Sequence, residues 1–75
     1  MKYYIAELTE TGLYTLRIAK EAIPSKPYIL DNKKVYDYSF ILDDGTEFLY
    51  KATGSNKLFE SLEECQEFIE GMNRL

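Results

Sequence analysis

VYDYSFILDDGTEFLYKA, Val35–Ala52, is the stretch on which the fold of this chain turns. Tyr36, Tyr38, Phe40 and Leu42 alternate with Asp37, Ser39 and Ile41, and Phe48, Tyr50 and Ala52 alternate with Glu47, Leu49 and Lys51. A period of two in aromatic and branched residues predicts two strands. The turn between them sets the register. A two-residue loop at Asp44-Gly45 places Phe48 opposite Ile41 and Tyr50 opposite Ser39, which splits the aromatic rows between the two faces. A three-residue loop, Asp43-Asp44-Gly45, places Leu42 opposite Thr46, Phe40 opposite Phe48, Tyr38 opposite Tyr50 and Tyr36 opposite Ala52, so that both rows share a face. It also sets Asp37 across from Lys51, a favourable pair. Such loops end on a residue in the left-handed region, which Gly45 adopts without strain. A slip of one residue would undo the whole arrangement, so the sequence predicts the three-residue loop.

The first hairpin has the same design. Lys2–Thr9 and Leu13–Lys20 flank Glu10-Thr11-Gly12, and a three-residue loop pairs Leu8 with Tyr14, Ala6 with Leu16 and Tyr4 with Ile18. Between the hairpins, Glu21–Lys34 reads as a connector, because Pro24 and Pro27 exclude a regular helix or a central strand. Its Ile23, Tyr28, Ile29 and Leu30 predict that it lies against the body, and Asp31-Asn32-Lys33-Lys34 reads as a turn.

After the loop Thr53–Asn56, Ser61-Leu62-Glu63-Glu64 has the form of a capping box. The helix is expected from about Leu62 to about Met72, with Gly71 or Asn73 as a left-handed stop. At about 100° per residue, Leu62, Cys65, Phe68, Ile69 and Met72 form one apolar arc, and Glu63, Glu64, Glu67 and Glu70 form an acidic arc nearly opposite. The expected fold is α+β in the order ββββα: one domain over residues 1–75, with a four-stranded, mostly antiparallel sheet of two hairpins and the C-terminal helix on one face. The ending Phe59-x-Ser61-Leu62-Glu63-Glu64-Cys65-x-x-Phe68 resembles the close of small sheet-plus-helix DNA-arm domains of phage integrases. Any capped amphipathic helix after a strand shares that likeness, and it carries no family assignment.

Composition bounds the function. A chain of 75 residues buries only about 60% of its unfolded surface and is stable by a narrow margin. Nine basic against thirteen acidic residues give a net charge of −4, which argues against a broad nucleic-acid or anionic-membrane footprint and for a basic partner. The single cysteine, Cys65, cannot form an internal disulfide and points to a reducing, cytoplasmic setting. The start Met1-Lys2-Tyr3-Tyr4 lacks the apolar stretch of a signal peptide, and no apolar run approaches the ~18 residues of a membrane span.

The chain contains no histidine, its lone cysteine sits on the apolar arc, and no glycine-rich loop opens a helix. Asp43 and Asp44 read as turn chemistry. No enzyme, cofactor or metal site is expected. Two surfaces remain. If the helix covers the face with Tyr4, Leu16, Tyr38, Phe40 and Phe48, the open face shows Tyr3, Ile5, Leu13, Val35, Ile41 and Leu49 among Glu7, Thr15, Arg17, Asp37, Glu47 and Lys51. Tyr3, Ile5, Leu13, Arg17, Ile41, Leu49 and Lys51 are then candidate contacts for a protein partner or a second copy. Glu60, Glu63, Glu64, Glu67 and Glu70 form an acidic ridge suited to a basic surface. The leading expectation is a small non-enzymatic protein-binding module, in sharper form an inhibitor or adaptor on a basic site of a larger protein. Phage and mobile-element anti-defence proteins share this look. The runner-up is a nucleic-acid-binding or regulatory domain, using Lys20, Lys26, Lys33 and Lys34 around the connector and Arg17, Lys51 and Tyr3 on the sheet.

Overall fold

Both hairpin turns form as predicted in the computed structural model, which describes residues 1–74. Thr9 N–H donates to Leu13 C=O at 2.9 Å and Leu42 N–H to Thr46 C=O at 2.8 Å, closing two three-residue loops of one design. Gly12 (φ 84°) and Gly45 (φ 89°) occupy the left-handed position in each. The strands are β1 (Tyr3–Leu8), β2 (Tyr14–Pro24), β3 (Tyr28–Leu30), β4 (Lys33–Val35), β5 (Tyr38–Leu42), β6 (Glu47–Tyr50) and β7 (Lys57–Phe59), followed by helix α1 (Leu62–Asn73). Leu8 faces Tyr14, Ala6 faces Leu16 and Tyr4 faces Ile18, while Tyr38 faces Tyr50 and Phe40 faces Phe48.

The fold is α+β, but the main sheet has five strands in the order β6-β5-β2-β1-β7, every pair antiparallel, and β3 and β4 form a separate two-stranded ribbon. Two strands beyond the expected four come from the connector, and one comes from the segment after the loop. Pro24 and Pro27 both precede the ribbon: contrary to the expected connector boundary at Glu21, Glu21–Pro24 continues central β2, and the chain leaves the sheet at Pro24 and re-enters opposite it at Tyr38. Lys57–Phe59 adds to the free edge of β1, setting Tyr4 opposite Phe59. Three residues carry too little alternation to be read as a strand.

The larger correction concerns faces. Along β2, Ala19 faces Leu42 but Glu21 faces Ile41, so Lys20 is the extra residue of a β-bulge. One extra residue reverses the alternation. Tyr3, Ile5 and Ala19 therefore share a face with Ala22, Phe40 and Leu42, and Tyr4, Ala6, Leu16 and Ile18 lie on the other. The helix packs on β1, β2 and β7 only. It covers Tyr4 and Leu16 as expected, but not Tyr38, Phe40 and Phe48, which belong to the opposite face.

Two buried layers result. Beneath the helix, Phe68 meets Tyr14 (ring centroids 5.1 Å) and Phe59 (5.4 Å), and Cys65 and Ala6 are fully buried. On the other face, Ile5, Ala19, Phe40 and Leu42 form the core, with Tyr3, Tyr38, Phe48, Tyr50 and Leu58 packed around them. The small Ala19 and Ala22 on central β2 let Tyr3 of β1 reach Phe40 of β5, with ring centroids 5.6 Å apart. Tyr38 stacks on Phe40 at 5.3 Å. Phe40 is fully buried although no helix crosses this face, and that burial contributes about 1.5–3 kcal/mol.

Candidate functional site

Ser61 starts the helix as predicted, its Oγ accepting from Glu64 N–H at 3.3 Å. The end differs from expectation. Neither Gly71 nor Asn73 adopts a left-handed stop, and the helix runs on to an αR cap at Arg74. Asn73 instead ties the helix to β2: its Oδ1 accepts from Tyr14 N–H at 2.8 Å, and its Nδ2 donates to Tyr14 C=O at 2.9 Å. With Cys65 buried and Phe68 clamped between two rings, the outward side of α1 has a fixed orientation. Burial raises the Cys65 thiol above its usual range, away from nucleophilic chemistry.

Glu60, Glu63, Glu64, Glu67 and Glu70 are all exposed, Glu60 just ahead of the helix and the rest along it. Among the described residues the ridge has one ion pair, Arg74 Nη2 to Glu70 Oε1 at 3.1 Å, with both side chains open to water. A pair so exposed is worth about 0–1 kcal/mol. Glu63 and Glu64 suit the positive end of the helix dipole and Glu67 lies at mid-helix, but Glu70 lies in the last turn, at the negative end, and that turn has no basic residue.

The seven sheet candidates do not form one surface. Tyr3 is half-buried and Ile5 fully buried in the Phe40 cluster. Leu13 is half-exposed beside the first turn. Arg17 Nε donates to Glu7 Oε1 at 2.8 Å. Ile41 and Leu49 fall on the helix side of the sheet, beyond the reach of α1, where Ile23 joins them. Leu49 (68%) and Ile23 (52%) are well exposed there. They line an open pocket of about 340 Å³ with Pro24, Tyr38 and Tyr50, and Lys51 belongs to its wall.

Asp37 was expected to pair with Lys51 across the hairpin, and Tyr36 with Ala52. The β5–β6 ladder stops at Tyr38 and Tyr50, leaving both pairs unformed. Asp37 bonds elsewhere. Its Oδ1 accepts from the Tyr28 hydroxyl at 2.6 Å and from Ala52 N–H at 3.0 Å. Its backbone exchanges two hydrogen bonds with Ser25: Ser25 N–H to Asp37 C=O at 2.8 Å, and Asp37 N–H to Ser25 Oγ at 2.9 Å. The Tyr28 hydroxyl, then the Ala52 N–H, hold the Asp37 carboxyl below its ordinary range, and the same hydrogen bond pushes Tyr28 up. Asp37 thus fastens the base of the ribbon, a role that alternation alone could not have shown. The turn carboxylates are also engaged: Asp44 accepts from Thr46 N–H and Oγ1, and Asp43 pairs with Lys2 at 2.7 Å.

Among the described residues, no group of three His, Cys, Asp or Glu comes together in a metal-holding arrangement, and no helix is long and apolar enough to cross a membrane. Comparison of the chain with protein-family models, with curated proteins and with solved structures finds no match to any of them.

Proposed function

We propose that this chain is a small non-enzymatic protein-binding module that presents its acidic helix to a basic surface on a larger protein. In sharper form it is an inhibitor or adaptor of the anti-defence type, acting in a reducing, cytoplasmic setting. The observation that carries this reading is the ridge itself. Four exposed carboxylates, Glu63, Glu64, Glu67 and Glu70, stand on a helix whose opposite side is anchored by Cys65, Phe68 and Asn73, with Glu60 just ahead of it, and Glu70 sits in the last turn, where the helix dipole disfavours it. Solubility alone needs no such placement, whereas a basic partner is steered by a rigid, one-signed surface.

The test is capture from a native lysate with nuclease present, comparing the wild type with a variant carrying Glu63→Lys, Glu64→Lys, Glu67→Lys and Glu70→Lys. A stoichiometric protein held by the wild type and lost by the folded variant supports the reading; equal capture by both ends it. A homodimer through the sheet would have to use Ile23, Ile41 and Leu49, since Tyr3 and Ile5 are packed with Phe40. Light scattering that finds a monomer at high concentration removes that version.

A further inference from the structure

The β3–β4 ribbon has chemistry opposite to that of the helix. Asp31 (φ 51°) and Asn32 (φ 64°) form a two-residue turn in which both central residues are left-handed, the tightest way to join two strands. Tyr28 faces Val35, Ile29 faces Lys34 and Leu30 faces Lys33. Neither strand comes into backbone contact with another element, so the ribbon stands out from the sheet instead of lying along it as expected; Tyr28, Leu30 and Val35 are half-buried on one of its faces, and the Ser25–Asp37–Tyr28 hydrogen bonds fasten its base. Lys26, Lys33 and Lys34 are exposed and, among the described residues, make no ion pair; Asp31 is the only acid in the segment from Lys26 to Val35. Successive residues of a strand point to opposite faces, so Lys33 and Lys34 leave from opposite sides of the ribbon. Ile29, on the Lys34 side, is 70% exposed.

We propose that this ribbon binds duplex DNA by entering the major groove, with its lysines on phosphates of the two groove walls. The two-sided placement of charge selects this partner. A flat anionic surface, whether a vesicle or the acidic helix of a second copy, meets only one face of a ribbon. A groove offers phosphate to both, and the B-form major groove, about 12 Å wide, admits a two-stranded ribbon. The acidic helix makes no contact with β3 or β4, so the ribbon can meet DNA while the ridge faces elsewhere. This surface is independent of the one assigned to the helix, and either can fail without the other.

The test is fluorescence anisotropy of a labelled DNA duplex titrated with the full chain across a salt series. Three phosphate contacts give a log–log salt slope of about −2.7, a loss of about 40-fold in affinity between about 50 and about 200 mM salt. Lys33→Gln with Lys34→Gln should lower the slope to about −0.9 and weaken binding about tenfold or more at the low-salt end. Asp31→Asn, which keeps a residue tolerant of the left-handed turn, should strengthen binding by removing a charge that repels phosphate. Three results overturn the proposal: no binding at the lowest salt, binding indifferent to the lysine pair, or a lysine-dependent dimer or vesicle association with no binding to the duplex. Circular dichroism identical to wild type shows that a variant has folded.

Discussion

Asn73 and Tyr14 close a two-hydrogen-bond ring across 59 residues of sequence, the side-chain amide at the end of α1 serving both backbone groups at the start of β2. Asn73→Ala leaves a half-buried N–H and C=O without these partners, at an expected cost of about 1–3 kcal/mol in urea unfolding. Asn73→Asp keeps the acceptor and loses the donor, so its midpoint should fall between those of wild type and Asn73→Ala. Equal stability of all three would show that the ring contributes nothing.

Lys20 is left unpaired between Ala19 and Glu21, which is what lets both Ala19 and Ala22 face the Phe40 side. Its deletion would give β2 an unbroken alternation in which Ala19 and Ala22 keep that side and their partners Leu42 and Phe40. The expected outcome is a cooperative unfolding transition that survives the deletion; its loss would contradict the assignment of Lys20 as the extra residue. Lys20→Ala, which keeps the bulge, should unfold within about 0.5 kcal/mol of wild type, as substitutions at exposed sites do.

The Asp37–Tyr28 hydrogen bond predicts two pH limits. The Asp37 pKa lies below its ordinary 3.8 in the folded chain, so the carboxylate's contribution is complete above that value and disappears as pH falls through the folded pKa. The Tyr28 pKa lies above its ordinary 10.0, so its contribution is complete below that value and is lost as pH rises through the folded pKa. Asp37→Asn should therefore be less stable than wild type at neutral pH, and the gap should narrow as pH drops below the ordinary carboxylate range. A gap that stays constant to the acid end would contradict the assignment.

Charge on the ridge should trade stability for binding. Glu63 and Glu67 repel one another one helical turn apart, and Glu67→Lys turns that pair into an attraction in the favourable orientation. Its unfolding midpoint should rise, with a gain of about 0.5 kcal/mol at low salt that shrinks at high salt. Partner capture should fall in the same variant. A variant that is both more stable and fully competent to bind would remove the ridge from the interface.

Cys65 offers a check on the packing of the helix. It is fully buried and its thiol is raised by that burial, so a thiol reagent should modify it at the rate of global or local opening. Modification should accelerate in Asn73→Ala in step with the loss of stability. Rapid labelling of the native protein would place α1 off the sheet.

The features legible in the amino-acid sequence are local. Gly12 and Gly45 in three-residue loops set both hairpin registers, Ser61 set the start of the helix, and helical periodicity put Glu63, Glu64, Glu67 and Glu70 on one exposed side. Each of these depends on residues a few positions apart. Which aromatic row lies under the helix depends on long-range packing. Alternation fixes the facing of residues within a hairpin but carries no phase from one hairpin to the next once the pairing between β2 and β5 contains a bulge. Lys20 inverted that phase, so Tyr3 and Ile5 joined the Phe40 core instead of an open face, and Ile41 and Leu49 moved to the helix side. The ribbon, the edge strand β7 and the role of Asp37 were equally beyond the sequence. Two three-residue strands pair only because a two-residue turn closes them, β7 pairs only because β1 leaves an edge free, and Asp37 meets Tyr28 only once the ribbon has folded back.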